Sequence, residues 1–272
     1  MYNLSMIILI FKALVLGVVE GVTEFLPISS TGHLILVNQW LNFSQDFTKM
    51  FDIVIQLGAI LAVIVYYWSK LWPFGKDILQ KTEIFSVWKK IIIAVIPAVV
   101  IGGLLGSFIE KKLFNPWVVA CALIIGGFVL IFIEKRQTKY HLESVASIPW
   151  LTAFFIGLIQ CLSMIPGTSR AAATIIGAML LGVTRSVAVE FSFFLAIPTM
   201  IAASAYSLLK HGAAISGSET VLLAIGFVVA FLVALVAIKL FIKYIQTHDF
   251  KPFGYYRIIL GVIVLIYFLA IK

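Results

Sequence analysis

Six uninterrupted apolar runs, each near the length that crosses a lipid bilayer, constrain this chain more than any other feature. They span residues 51–68, 88–108, 117–133, 187–209, 219–244 and 253–271. A hydrocarbon layer about 30 Å thick takes roughly 20 apolar residues in a helix, and backbone crossing it must satisfy its own hydrogen bonds. Composition agrees: 62% of the 272 residues are hydrophobic and 12% are charged, against about half and about a quarter in soluble domains. The expectation is an all-α integral membrane protein, with residues 1–272 forming one membrane domain in contact with membrane lipids.

The net charge of +8 would suggest nucleic acid in a soluble protein. Here the lysines and arginines are expected to gather in cytoplasmic loops, so no nucleic-acid partner is expected. Cys121 and Cys161 lie in apolar segments at no zinc or redox spacing and read as small packing residues. The apolar N-terminus lacks a small-residue cleavage site and reads as retained structure.

Two further apolar regions are interrupted. Residues 4–41 are broken by Glu20, Glu24, Pro27 and the polar run 29–33; residues 149–182 are broken by Gln160, Ser163, Pro166, Gly167, Ser169 and Arg170. Helix–break–helix segments at membrane depth need protein or a water-filled cavity around them, and both regions are expected to be re-entrant helical hairpins. A shift of 140 positions superposes Gly17 on Gly157, Glu20 on Gln160, Thr23 on Ser163, Ser29 on Ser169, Ser30 on Arg170 and Phe51 on Phe191. Corresponding broken segments in two halves mark the site of an internally repeated membrane protein. Residues 1–140 and 141–272 are therefore expected to form two structural repeats.

One hairpin and three spans per half make an odd number of crossings, so the second repeat is inverted and the fold has six transmembrane helices plus two hairpins. This arrangement places thirteen of the 20 lysines and arginines on one side, among them Lys70, Lys76, Arg136, Lys139, Arg185, Lys243 and Arg257. Lys12, Lys49, Lys111, Lys112, Lys210 and Lys272 fall on the other, with Arg170 inside the second hairpin. The richer side is cytoplasmic, which opens the first hairpin outward.

Ionisable residues at membrane depth are costly and point to function. Here they are Glu20, Glu24, His33, Asp52, Arg170 and Glu190, of which Asp52 and Glu190 are as readily explained by lying near helix ends. Glu20 and Glu24, four apart, share a helix face and call for a cation, either Arg170 or a hard divalent metal. Pro27 ends the incoming helix and Ser29 can cap the next, whose free N–H groups form an anion site. Ser30 and His33 share a face, where the imidazole could take the hydroxyl proton. In the second break Gly167 permits close backbone approach, Ser169 can cap, and Arg170 offers a planar fork of donors suited to phosphate oxygens. Nucleophile, base, carboxylates and phosphate clamp on one point are what phosphoryl transfer needs. His141, His211 and His248 fall in charged loops and receive no role.

The stretch 17–33, with Gly17, Glu20, Glu24, Pro27, Ser29, Ser30, Thr31, Gly32 and His33, resembles the undecaprenyl-diphosphate phosphatase family of the bacitracin-resistance type, as does 166–174, with Pro166, Gly167, Ser169, Arg170 and Thr174. Segments 51–58 and 190–198 are also similar to it. The resemblance implies a multi-pass enzyme of the bacterial cytoplasmic membrane that removes the terminal phosphate of undecaprenyl diphosphate at the outer face. That recycles the lipid carrier of peptidoglycan synthesis and opposes bacitracin. It implies catalytic roles for Glu20, Glu24, Ser30, His33 and Arg170, with Ser30 and His33 as nucleophile and base. Ser29, Thr31, Ser169 and Thr174 become supporting substrate donors. It further implies a divalent cation, Mg or Ca, at Glu20 and Glu24, and no organic cofactor. A homodimer is the expected assembly. Where the family pattern has serine after the arginine, this chain has Ala171, which removes one phosphate contact. The competing class is a polyprenyl-phosphate flippase or transporter of the same architecture, which would need no nucleophile; a non-catalytic lipid-binding scaffold would leave the buried polar set unexplained.

Overall fold

The computed structural model describes residues 4–41, 43–135, 141–211 and 216–270. They form eleven α-helices: α1 (Leu4–Thr23), α2 (Ser30–Leu41), α3 (Gln45–Tyr66), α4 (Trp68–Leu71), α5 (Ile78–Leu113), α6 (Pro116–Lys135), α7 (Trp150–Gln160), α8 (Arg170–Leu180), α9 (Arg185–His211), α10 (Gly217–Ile245) and α11 (Lys251–Ala270). The all-α expectation holds: among the described residues the only β pairing is an isolated bridge between Leu142 and Val183.

Seven helices are long and apolar enough to cross a membrane: α1, α3, α5, α6, α9, α10 and α11. Six coincide with the uninterrupted runs. The seventh, α1, was expected to be interrupted at Glu20, but the helix runs on to Thr23 and Glu20 is shielded by protein, with 1% of its surface exposed. The break begins only at Glu24, whose amide still bonds the Glu20 carbonyl. By contrast α2, α7 and α8 have 12, 11 and 11 residues and rise only about 17–18 Å, well short of the hydrocarbon layer.

Of these three, α8 is the one enclosed by the long helices. Every residue of α8 from Ala171 to Met179 is buried, and α9, against which α8 packs, has 61% of its spanning residues buried, against 22–44% in the other six. Phe25, Phe191, Phe193 and Phe194 fill the core around it. Large side chains such as Leu104, Phe108, Phe128, Phe132, Ile259 and Ile266 instead point outward, each at least 60% exposed, a surface suited to lipid contact. Cys121 is also exposed, so the packing role expected of it is not the one it has; Cys161 is partly buried, and both thiols are free.

Helix starts follow local chemistry. Asp77 caps α5 by accepting from the Gln80 amide at 2.8 Å, and Ser216 with Glu219 forms a capping box at α10. At one end of the bundle Glu134 on α6 takes the Arg185 side chain of α9 (Nε to Oε1, 2.9 Å) and the Phe250 amide (3.1 Å), tying three connections together. Two helix starts recur at one spacing: α2 and α8 start at Ser30 and Arg170, and α3 and α9 at Gln45 and Arg185, each pair 140 residues apart.

One charge assigned to the cytoplasmic side is misplaced. Arg257 lies in α11 and is entirely buried, because four backbone carbonyls receive its guanidinium. Twelve residues then remain on the richer side. Arg136, Lys139 and Lys272 lie outside the described residues, as does Tyr140, where the first repeat was expected to end.

Candidate active site

The two breaks meet. Ser29, before α2, and Ser169, before α8, are 140 positions apart and are, among the described residues, the non-glycine ones at positive φ, 72° and 70°. This conformation costs an L-residue about 1–2 kcal/mol, and at both breaks it turns the chain sharply into a new helix. The serine hydroxyls do the capping expected of them: Ser29 Oγ accepts from the Gly32 amide at 3.3 Å and Ser169 Oγ from the Ala172 amide at 3.2 Å. Gly167 must be glycine, since its φ is +91° and a Cβ would stand 2.5 Å from the Val119 carbonyl oxygen.

Glu24 is the centre of the site. Its Oε2 accepts from the Ser30 hydroxyl at 2.6 Å and its Oε1 from Arg170 Nη2 at 3.2 Å. Both partners of this ion pair are buried, with side chains 9% and 6% exposed. Arg170 Nη1 donates to the Ser192 carbonyl at 3.0 Å and lies 3.4 Å from its hydroxyl, the Phe25 ring centroid sits 5.7 Å from the guanidinium, and Nε has no partner among the described residues. The contact of Arg170 with Glu24 is the one expected from sequence.

Other residues stand differently. Ser30 and His33 share a helix face as expected, yet the Ser30 hydroxyl turns to Glu24. His33 Nδ1 lies 2.8 Å from the Ser29 carbonyl and Nε2 2.7 Å from the Tyr256 hydroxyl. The carbonyl can only accept, so Nδ1 carries a proton, and in the neutral imidazole Nε2 accepts from Tyr256, whose ring stacks on the imidazole with centroids 5.6 Å apart. Thr174 is fully buried; its hydroxyl lies 2.9 Å from the Arg170 carbonyl and 2.6 Å from Ser192 Oγ, which itself lies 3.4 Å from the Arg170 guanidinium. Thr31 and Ser169 are half-buried beside the two helix starts.

Glu20 is buried beside Glu24, within electrostatic reach of Asp52 and Arg170, and its Oε1 finds no hydrogen-bond partner among the described residues. Asp52 is held by Asn38 Nδ2 at 3.3 Å and leaves Oδ1 buried without a partner among the described residues, while Glu190 forms a half-exposed ion pair with Lys70 at 2.8 Å. The latter is the ordinary helix-end role. Among the described residues no three His, Cys, Asp or Glu side chains are grouped closely enough to hold a metal by themselves. Ser192, Tyr256 and Arg257 are the participants that sequence reasoning missed. Ser192 sits inside the segment 190–198 already marked by resemblance, and Arg257 is an arginine well inside an apolar run between Gly254 and Gly261.

A hydroxyl held by a buried carboxylate, a buried arginine whose Nε has no partner among the described residues, and two helix N-termini lie together among membrane-length helices, a donor set whose chemistry suits an anionic, phosphate-bearing group. The family described as "Bacitracin resistance protein BacA" matches residues 13–263, and the chain belongs to that family. It is 54% identical over 263 residues to "Undecaprenyl-diphosphatase 1" of Clostridioides difficile (strain 630), covering 95% of this chain and 96% of that protein. An "Undecaprenyl-diphosphatase" of Limosilactobacillus fermentum is 51% identical (95% and 97% covered) and one of Enterococcus faecalis 48% identical (94% and 96% covered).

Proposed function

We propose that this chain is a membrane phosphatase that hydrolyses undecaprenyl diphosphate to undecaprenyl phosphate and inorganic phosphate. The observation that carries the mechanism is the 2.6 Å hydrogen bond from Ser30 to Glu24, whose other oxygen is held by Arg170. Ser30 Oγ attacks the terminal phosphorus and its proton passes to Glu24. The bridging P–O bond breaks, and its electron pair leaves on the lipid phosphate. Water then cleaves the phosphoserine, and phosphate departs. Arg170 offers Nε–H to the equatorial oxygens, and the N-termini of α2 and α8 supply amides where charge gathers. Glu24 thus takes the role of base that spacing assigned to His33, and His33 fixes the turn through Ser29. The family membership and the names of the relatives support the reaction, and they favour it over a flippase. The test is phosphate release from the lipid diphosphate by detergent-purified protein.

A divalent cation fits this site in part. Both Glu24 oxygens are engaged, which leaves Glu20 Oε1 as a buried carboxyl oxygen with no partner among the described residues, available to a cation. Mg²⁺ is commonly held by one or two carboxylates with substrate phosphates completing its shell. Bound there it would neutralise charge on the diphosphate. Glu24→Gln should lower kcat about a hundredfold, since it loosens both Ser30 and Arg170, and Glu20→Gln about tenfold. Titrating both variants with Mg²⁺ and Ca²⁺ checks the assignment. A parental metal response in each would place the cation on the substrate alone.

We further infer an inverted repeat in which α1–α2 and α7–α8 are hairpins entering from opposite sides, with tips that meet at Glu24 and Arg170. The 140-residue spacing of helix starts and the matching φ of Ser29 and Ser169 support it. The twelve-to-six charge distribution supports a site opening outward. Asn42, the natural probe of the α2–α3 connection, lies outside the described residues, whereas its neighbour Ser44 is exposed. In a background with Cys121 and Cys161 replaced by alanine, Ser44→Cys should react with an impermeant thiol reagent on intact cells, and Gln80→Cys only after permeabilisation. The reverse pattern would turn the topology over.

A further inference from the structure

Arg257 has no part in the chemistry above, yet it occupies the most enclosed position of any lysine or arginine among the described residues, with none of its surface exposed. Its guanidinium makes four hydrogen bonds, all to backbone carbonyls. Nε donates to Leu123 (3.4 Å), Nη1 to Pro27 (3.3 Å), and Nη2 to Ala122 (3.1 Å) and Gly167 (3.0 Å). Leu123 and Ala122 belong to α6. Pro27 lies in the turn before Ser30, and Gly167 in the turn before Arg170. The carbonyls of broken helices are left without partners inside the fold, and a buried carbonyl without a donor is costly in a membrane. A planar fork can meet several at once in fixed relative positions, which a flexible ammonium cannot.

We propose that Arg257 is a positioning residue that sets the spacing of the two breaks, and through them the alignment of Ser30 against Arg170. It touches neither the nucleophile nor the phosphate clamp. It holds the backbone three residues before each, anchored to a third helix as a common reference. The protein makes room for it at Gly126 on α6, where a Cβ would lie 2.2 Å from Arg257 Nη2. Because that atom is the far end of a long side chain, a methyl group there should push the fork aside and leave the helix packing intact.

This proposal rests on the phosphatase reading, and its test separates the two. If the purified parent releases no phosphate from the lipid diphosphate, it is the phosphatase reading that fails. With an active parent, kcat and KM are measured for Arg257→Lys, Arg257→Gln and Gly126→Ala, each normalised to the monodisperse fraction from size-exclusion chromatography. The expected result is a fall in kcat of ten- to a hundredfold in all three, the size of effect that misplacement by about 1 Å produces, with KM within threefold. The substrate would still meet Arg170 and the helix N-termini, but out of line with Ser30. Lysine should not rescue, because one ammonium cannot bridge both turns. If the Arg257 variants do not fold, Gly126→Ala decides, since it keeps the arginine and its charge. Folded Gly126→Ala or Arg257→Lys protein with parental kcat would overturn the proposal. A uniform loss of folded protein with normal kcat in what remains would also overturn it, by showing a role in stability alone.

Discussion

Replacing Ser30 by alanine is expected to lower turnover by at least about three orders of magnitude, equivalent to some 4 kcal/mol of transition-state stabilisation. The hydroxyl is the one group in the site placed 2.6 Å from a buried carboxylate and at the start of a helix, so no neighbour can substitute for it. Substrate affinity should change little, because Arg170 and the helix N-termini remain. Folding should survive as well, since Ser29 and not Ser30 caps α2. Steady-state phosphate release and equilibrium binding of the lipid diphosphate, both on detergent-purified protein, check the two halves of this statement. Near-normal release would remove Ser30 as nucleophile and bring His33 forward.

Arg170 should prove nearly as sensitive. Arg170→Lys keeps the charge but cannot reach Glu24, Ser192 and a phosphate together. Loss of bonds formed in the transition state should cost about 3 kcal/mol, on the order of a hundredfold in rate. Arg170→Ala should be worse, because it leaves Glu24 as a buried carboxylate with no cation, a change that costs roughly 3–5 kcal/mol of stability where such pairs have been broken. A transporter would tolerate lysine, since a point charge can hold a phosphate in passage. Phosphate-release rates for the two variants, with unfolding midpoints alongside, separate these cases; a parental rate in the lysine variant would remove the two-pronged contact from the mechanism.

The parts of this site that could be read from sequence are those governed by local rules. Proline and serine at each break placed the starts of α2 and α8, and two serines 140 residues apart proved to share an uncommon backbone conformation as well as a capping role. The pairing of Arg170 with Glu24 followed from cost, because an arginine at membrane depth needs an anion and few were available. The direction of the Ser30 hydroxyl did not follow. Helical spacing puts Ser30 and His33 on one face, but side chains in a helix lean toward its N-terminus, and at the first position that leads back into the turn holding Glu24. His33 is meanwhile taken by Tyr256, 223 positions away, a contact no local pattern encodes. Arg257 was misplaced for a related reason. A count of loop charges cannot distinguish a lysine at the membrane surface from an arginine whose neutralising carbonyls come from three distant segments. The first limb of the first break was judged interrupted because Glu20 is charged, whereas its burial against protein lets α1 continue past it.

In the proposed mechanism Ser30, activated by Glu24, accepts the phosphoryl group. Rapid acid quenching of a single turnover, using undecaprenyl diphosphate radiolabelled at its terminal phosphorus, tests it most directly, with peptide mapping of any labelled protein. An acid-stable phosphoserine is expected on the peptide containing Ser30, formed before free phosphate appears and absent from Ser30→Ala. An acid-labile label on His33, or phosphate released with no labelled protein at any time, would contradict it.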